Sequence, residues 1–203
     1  MNYTQLELEL GVSDLLSVCA DVDRRLFPAP INETFAMTLY HGSNIIVERP
    51  DLRFSVRALD FGRGFYTTTE KRQAVNFAKK VRERALRTGD NATGCFVSIY
   101  EFDEAALVSG IAVRRFATPD EEWFDFVMAN RREEIPGGTD DIIIGPVAND
   151  TVYRTLIGFE AGLYSKRRAI QLLRARKLCD QWTFTSEKSL GLLRFAGSME
   201  VTP

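Results

Sequence analysis

Histidine, paired cysteines and long apolar segments are all scarce in this chain of 203 residues. Its single histidine is His41, and its three cysteines, Cys19, Cys95 and Cys179, lie far apart without a Cys-x-x-Cys spacing. Neither a disulfide framework nor a zinc site is therefore expected, and no metal cofactor is predicted. No apolar run approaches the roughly 20 residues that cross a bilayer, so we expect no membrane partner.

An excess of charge of one sign is also missing. The 26 Lys and Arg residues nearly balance the 28 Asp and Glu residues, which leaves a net charge of -2. Bulk charge therefore gives no reason to expect a nucleic acid or an anionic membrane as partner. The opening segment, MNYTQLELEL, lacks the basic region of a secretory signal, so a cytoplasmic location is expected.

The pattern of apolar residues divides the chain in two. Leu6, Leu10, Leu15 and Val18 have helical spacing, and this stretch closes at Phe27-Pro28-Ala29-Pro30, where two prolines end any helix. We therefore predict a helical N-terminal appendage over residues 1–30 and a main domain over residues 37–203.

Strands and helices intersperse irregularly in the main domain, which favours an α+β fold over a doubly wound sheet. Strand patterns cover residues 36–41, ended by Gly42, then 94–102, then 141–147, ended at Gly145-Pro146, and then 181–187, with a last strand before Val201. Helix patterns begin at Thr69, Thr118-Pro119 and Ser165. The apolar stripe of the first of these helices consists of Ala74, Phe77, Ala78, Val81 and Ala85.

Three weak signals point to a binding site. Alternation places Met37, Leu39 and His41 on one face of a strand. Such a histidine is more often structural than functional, but the adjacent Gly42 lets a flat ligand approach the backbone, and the imidazole can donate to a ribose hydroxyl.

The second signal is Gly62-Arg63-Gly64-Phe65-Tyr66. It fails the dinucleotide fingerprint, because Thr67 stands at the third glycine and no apolar strand precedes it. The glycines can instead form a tight turn that presents Tyr66, although one of Phe65 and Tyr66 is expected to be core. The third signal is Glu187, predicted on the polar face of the 181–187 strand, where it either lines a cleft or faces water.

In combination these stretches resemble a known family. Tyr40-His41-Gly42-Ser43, then Gly62–Tyr66, then a helix bearing Phe77 resemble the first half of the poly-ADP-ribose polymerase-like catalytic fold, in the diphtheria-toxin-like His-Tyr-Glu branch of ADP-ribosyltransferases. Residues 60–68, 141–150 and 180–188 extend the likeness to a small bacterial family of unknown function in this superfamily. The resemblance covers about residues 37–196.

The resemblance implies two small β-sheets packed around an NAD cleft, with helices outside. His41 would bond the adenosine ribose, Gly42 would pair with the nicotinamide carboxamide, and Tyr66 and Phe77 would stack on the nicotinamide. The implied cofactor-binding residues are His41, Gly42, Ser43, Gly64, Phe65, Tyr66 and Phe77, and the implied catalytic residues are Glu187, Tyr66 and His41. Glu187 would accept a bond from the nicotinamide ribose and stabilise the positive charge that develops as nicotinamide leaves.

Two positions depart from relatives of this kind. Ala74 stands where poly-ADP-ribose polymerases have a serine that holds the carboxamide, and Thr185 stands where arginine-modifying relatives have Gln or Glu. The expected activity is transfer of a single ADP-ribose from NAD to an unknown protein or nucleic-acid acceptor. A toxin-like NAD glycohydrolase and an inactive NAD- or ADP-ribose-binding module are the alternatives, and the oligomeric state is open.

Overall fold

A computed structural model describes residues 36–55, 58–91, 93–108, 110–132, 138–147, 150–175 and 178–202. The chain divides into two units, Met1–Thr34 and Phe35–Pro203, and the description concerns the second. The predicted helical appendage over residues 1–30 lies outside the described residues. Within the described ranges, no helix is long and apolar enough to cross a membrane.

The main domain contains strands and helices in mixed order, as the sequence predicts for an α+β fold. The strands are β1 (Ala36–Ser43), β2 (Phe65–Thr67), β3 (Phe96–Asp103), β4 (Val113–Arg115), β5 (Ile142–Val147), β6 (Cys179–Phe184) and β7 (Leu193–Glu200). The helices are α1 (Lys71–Thr88), α2 (Glu121–Arg131), α3 (Asp150–Glu160), α4 (Lys166–Arg174) and α5 (Glu187–Leu190). Short 3-10 turns cover Leu52–Phe54 and Glu104–Val108.

The strands form two small sheets. One has the order β1-β3-β7 and the other the order β2-β6-β5-β4. Every pairing is antiparallel except that of β4 with β5. The two sheets meet where Tyr40 of β1 and Thr68, just after β2, exchange backbone hydrogen bonds of 2.8 and 3.0 Å.

Three apolar clusters join the layers. Between the sheets, aromatic side chains pack edge to face: the Phe102 ring lies 5.5 Å from Trp182 and 5.7 Å from Phe184. Each such pair adds about 0.5–1.5 kcal/mol beyond the area it buries. A second cluster joins helices α2, α3 and α4 to the outer face of β5, and a third joins α1 to the outer face of the β1-β3-β7 sheet.

Several predicted boundaries need correction. β1 continues past Gly42 to Ser43, and β5 continues through Gly145-Pro146 to Val147, because the pairing with β6 extends to Cys179. Helix α1 begins after Glu70 rather than at a Thr69 cap, and Asp120 caps α2 by accepting from the Trp123 amide. Helix α3 was not predicted from the sequence.

Candidate functional site

Most of the predicted site residues lie where β1 and β2 separate beyond the Tyr40–Thr68 pair. We call this place the fork; its β1 side is His41, Gly42 and Ser43, and its β2 side is Gly64, Phe65 and Tyr66. The side chain of His41 crosses the fork, since its Nδ1 lies 2.7 Å from the Tyr66 carbonyl oxygen. The fork therefore unites residues that are more than twenty positions apart in the sequence.

The contact with Tyr66 fixes the proton of His41. A carbonyl oxygen only accepts, so Nδ1 carries the hydrogen and the neutral ring keeps Nε2 as an acceptor. Burial lowers the pKa of His41 below 6.5, and the bond to the Tyr66 carbonyl opposes this effect without cancelling it. The ring also lies 4.4 Å from that of Phe65. His41 is thus a neutral, oriented hydrogen-bond acceptor.

Gly42 is required at the fork by the close approach of helix α1. A Cβ atom at this position would lie 2.0 Å from the carbonyl oxygen of Ala74 and 2.9 Å from the backbone nitrogen of Ala78. Any side chain would therefore force α1 away from the sheet. Ala74 is a buried residue of α1 that packs against the sheet at this point.

Tyr66 points away from Phe65 because neighbouring strand residues face opposite sides. Phe65 is 9% exposed and joins the cluster between the sheets, whereas Tyr66 packs against the cluster under α2–α4. The Tyr66 hydroxyl donates to the Gly62 carbonyl, and burial raises its pKa, so the phenol stays protonated. One of the two aromatic residues is core, as predicted, and it is Phe65.

The turn before β2 is stabilised by backbone hydrogen bonds and by an ion pair to α2. Gly62 has a φ of +83°, which favours glycine, and its backbone pairs with Leu59 at 3.1 Å in both directions. Asp60, next to this turn, accepts from Arg131 of α2 at 2.7 Å, and both side chains are largely buried. The predicted tight turn ahead of Tyr66 is therefore present.

A cleft of about 440 Å³ opens beside the fork. It is lined by Leu52, Arg53, Ser55, Arg63, Gly64 and Thr185. The Gly64 amide donates to the Ser55 hydroxyl at 2.8 Å. Arg53 is held by Asp51, which raises the pKa of Arg53, while Arg63 is exposed and makes no ion pair with any described residue. The Arg63 guanidinium, beside a backbone loop, is therefore suited to an anionic ligand, whereas that of Arg53 is already paired with Asp51.

Glu187 does not lie on a strand, contrary to the prediction. β6 ends at Phe184, and Ser186 then caps the short helix α5, of which Glu187 is the first residue. Its side chain is exposed, and its charge contributes to raising the pKa of Arg53, after the larger contribution from Asp51. Within the described ranges, no hydrogen bond or ion pair joins Glu187 to His41 or Tyr66. Its one recorded link to the cleft is its charge effect on Arg53, and it is not among the residues that line the cleft.

Gln181 is a polar residue of the site that the sequence did not single out. It is 9% exposed on β6, one register position beyond the Thr67–Trp182 pair, and its amide lies 3.4 Å from the Thr183 hydroxyl. Thr183 faces Tyr66 across the β2–β6 pairing. Burial on the predicted polar face of the strand was not visible in the sequence, because both faces of β6 are covered.

Phe77 and Ser43 complete the predicted set. Phe77 was predicted in the buried stripe of α1 but is 45% exposed, one residue before the Ala78 that touches Gly42. Ser43 ends β1, and its hydroxyl lies 3.3 Å from the side chain of Asn44. In the parts of the chain that the structure covers, no cluster of His, Cys, Asp and Glu has the arrangement of a metal site.

Comparison with known proteins adds one finding. A sequence model of a family described as a protein of unknown function (DUF3990) matches residues 37–195. No curated protein and no solved structure matches the chain. The matched range begins in β1, ends in β7 and includes every predicted site residue. The chain therefore belongs to the DUF3990 family, whose function is unknown.

Proposed function

We propose that this protein is an NAD-dependent mono-ADP-ribosyltransferase with an ADP-ribosyltransferase-like fold, which binds NAD across the fork and the adjoining cleft. The observation that carries the proposal is the fork itself. Six of the seven cofactor-binding residues implied by the family resemblance make up its two sides, and the seventh, Phe77, lies on the helix that packs against Gly42.

His41 is suited to recognise a ribose. With Nδ1 committed to the Tyr66 carbonyl, Nε2 accepts from a ribose hydroxyl. The expectation that this imidazole donates to the ribose is replaced by an acceptor role. The diphosphate would then lie toward Arg63, because a guanidinium group favours phosphate oxygens and that of Arg53 is already paired with Asp51. Exposed Phe77 supplies an aromatic face for the nicotinamide ring.

The chemistry requires stabilisation of a developing positive charge. The bond between the anomeric carbon and the nicotinamide nitrogen breaks, and its electron pair leaves with neutral nicotinamide. A lone pair of the acceptor forms the new bond to that carbon, and the acceptor's proton passes to water. Glu187, beside the cleft, is the proposed stabilising carboxylate.

A second function, a non-catalytic NAD- or ADP-ribose-binding module, is favoured by the environment of Glu187. The carboxylate is exposed and near Arg53, so water and the guanidinium both weaken its field. Gln181, two residues from the Thr183 that pairs with Tyr66, is buried but carries no charge. The two functions therefore differ in whether Glu187 reaches the reacting ribose.

Incubation with labelled NAD, alone and with cell lysate, tests the proposal. Label on a macromolecule indicates transfer, free nicotinamide alone indicates an NAD glycohydrolase, and binding without either product indicates the module. We expect Glu187→Gln to lower turnover by about 10²–10³ while the Kd for NAD changes little, by analogy with other preorganised groups.

Two further variants complete this experiment. Glu160→Gln, at an exposed acid at the end of α3, is the matched control and should leave turnover unchanged. Full turnover in Glu187→Gln, combined with its loss in Gln181→Leu, would remove Glu187 from the mechanism and assign the ribose contact to the buried amide.

A further inference from the structure

Helix α1 concentrates positive charge that the whole chain does not have. Of the 26 Lys and Arg residues, seven lie in its 18 residues, together with one acid, Glu83. The near-balanced total charge hides this local excess. Because the whole chain is net negative, acidic residues elsewhere must outweigh this positive helix. The electrostatic potential therefore differs between the helix and the rest of the protein.

Part of this charge forms an exposed stripe that begins beside the fork. Ala74, Ala78 and Ala85 are buried against the β1-β3-β7 sheet. Phe77, Lys80, Arg84 and Arg87 are exposed and have the spacing that places residues on one side of a helix. We call these four residues the α1 stripe.

Within the described residues, the two C-terminal arginines of the stripe, Arg84 and Arg87, are only weakly neutralised. The ion pair from Arg87 to Glu83 spans 3.7 Å between side chains that are 80% and 62% exposed, and such pairs contribute about 0–1 kcal/mol. Arg84 makes no ion pair with any residue in the described ranges. A polyanion could therefore bind Arg84 and Arg87 while displacing only one weak ion pair and mobile counterions.

We propose that the α1 stripe binds a single-stranded nucleic acid and brings it to the fork as acceptor; the acceptor role rests on the proposed function. Lys80, Arg84 and Arg87 follow one another every 3–4 residues, or about 4.5–6 Å along the helix, which presents a row of cations to the repeating phosphates of a nucleic acid. A nucleic acid carries such a charge on every backbone unit, whereas a peptide does so only in an uninterrupted run of Asp or Glu. A single strand is favoured over a duplex because chemistry on a base requires that base outside the stack.

The binding experiment uses the full chain without NAD and a labelled, mixed-sequence oligonucleotide of about 20 nucleotides, longer than the usual single-strand site. Fluorescence anisotropy is recorded between about 50 and 200 mM salt. We expect Arg84→Gln combined with Arg87→Gln to weaken binding about tenfold and to reduce the slope of log K against log salt by about 1.4, since each phosphate contact contributes about 0.7.

A matched double variant removes the same charge elsewhere. Arg167→Gln with Arg168→Gln, at exposed positions of α4, should leave the affinity and the slope unchanged. Three results would overturn the proposal: no binding by the wild type at the lowest salt, equal loss in both double variants, or competition by polyglutamate as strong as that by unlabelled oligonucleotide. The last result would assign the stripe to an acidic protein.

A second measurement separates this inference from the proposed function. With labelled NAD and the same oligonucleotide, the α1 double variant should transfer less label to the strand while its release of nicotinamide without acceptor stays at the wild-type level. Oligonucleotide binding without any nicotinamide release would retain the surface and reject the transferase. Nicotinamide release with no label on any strand would retain NAD cleavage and reject nucleic acid as acceptor.

Discussion

The fork and the cleft lie side by side, but their residues differ in burial and in their structural role. The fork is packed: Gly42 touches the backbone of α1, Phe65 is core, and His41 and Tyr66 have committed hydrogen bonds. The cleft is open, charged and lined by exposed arginines, with Glu187 nearby. Residues of the fork therefore hold the two sheets in place, and residues of the cleft supply charge at low structural cost.

A substitution at Gly42 should show the largest difference in stability between the fork and the cleft. Gly42→Val places methyl groups where the Ala74 carbonyl now lies, so we expect a loss of about 3 kcal/mol or more in the free energy of unfolding. Chemical denaturation followed by circular dichroism measures it. Arg63→Ala, at the cleft, should change stability by no more than about 0.5 kcal/mol. Equal losses of unfolding free energy in the two variants would show that the fork is no more important to the fold than the cleft.

A smaller effect is expected at the Tyr66 hydroxyl. Tyr66→Phe removes the donor to the Gly62 carbonyl but keeps the ring, so the free energy of unfolding should fall by about 1 kcal/mol. Tyr66→Ala should in addition weaken NAD binding, which calorimetric titration can measure. An unchanged Kd in Tyr66→Ala would show that this ring serves the core alone.

The smallest effect concerns pH. The folded-state pKa of His41 is below 6.5, so the unfolded chain binds more protons between these two values. Stability should be complete above about pH 6.5 and fall as the pH is lowered toward the folded-state pKa. His41 is the single histidine of the chain, so Tm measured from about pH 7.5 to 5 reports on it.

The matched variant for this measurement is His41→Asn, which retains a donor for the Tyr66 carbonyl without titrating in that range. Its Tm should depend less on pH than that of the wild type. Identical pH profiles for the two proteins would mean that the fork does not control the acid sensitivity of the fold.

Alternation and helical spacing predicted much of this architecture. They placed Leu39 and His41 on one face of β1, and they found α1 with its buried alanines. They could not reveal that Ala74 lies against Gly42, because that contact depends on how a helix and a strand pack. Glu187 was misplaced because α5 has only four residues, too few for a helical period to show.

The hydrogen bond to the Tyr66 carbonyl gives the two ring nitrogens of His41 different roles. Nδ1 sets the distance between β1 and β2, and Nε2 remains available to contact a ligand. A lineage that altered ligand preference by replacing this residue would at once shift the strand that carries Tyr66. A substitution at His41 therefore changes ligand specificity and strand packing together. We expect members of the family to diversify instead at the arginine-lined cleft, where substitutions disturb the fold least.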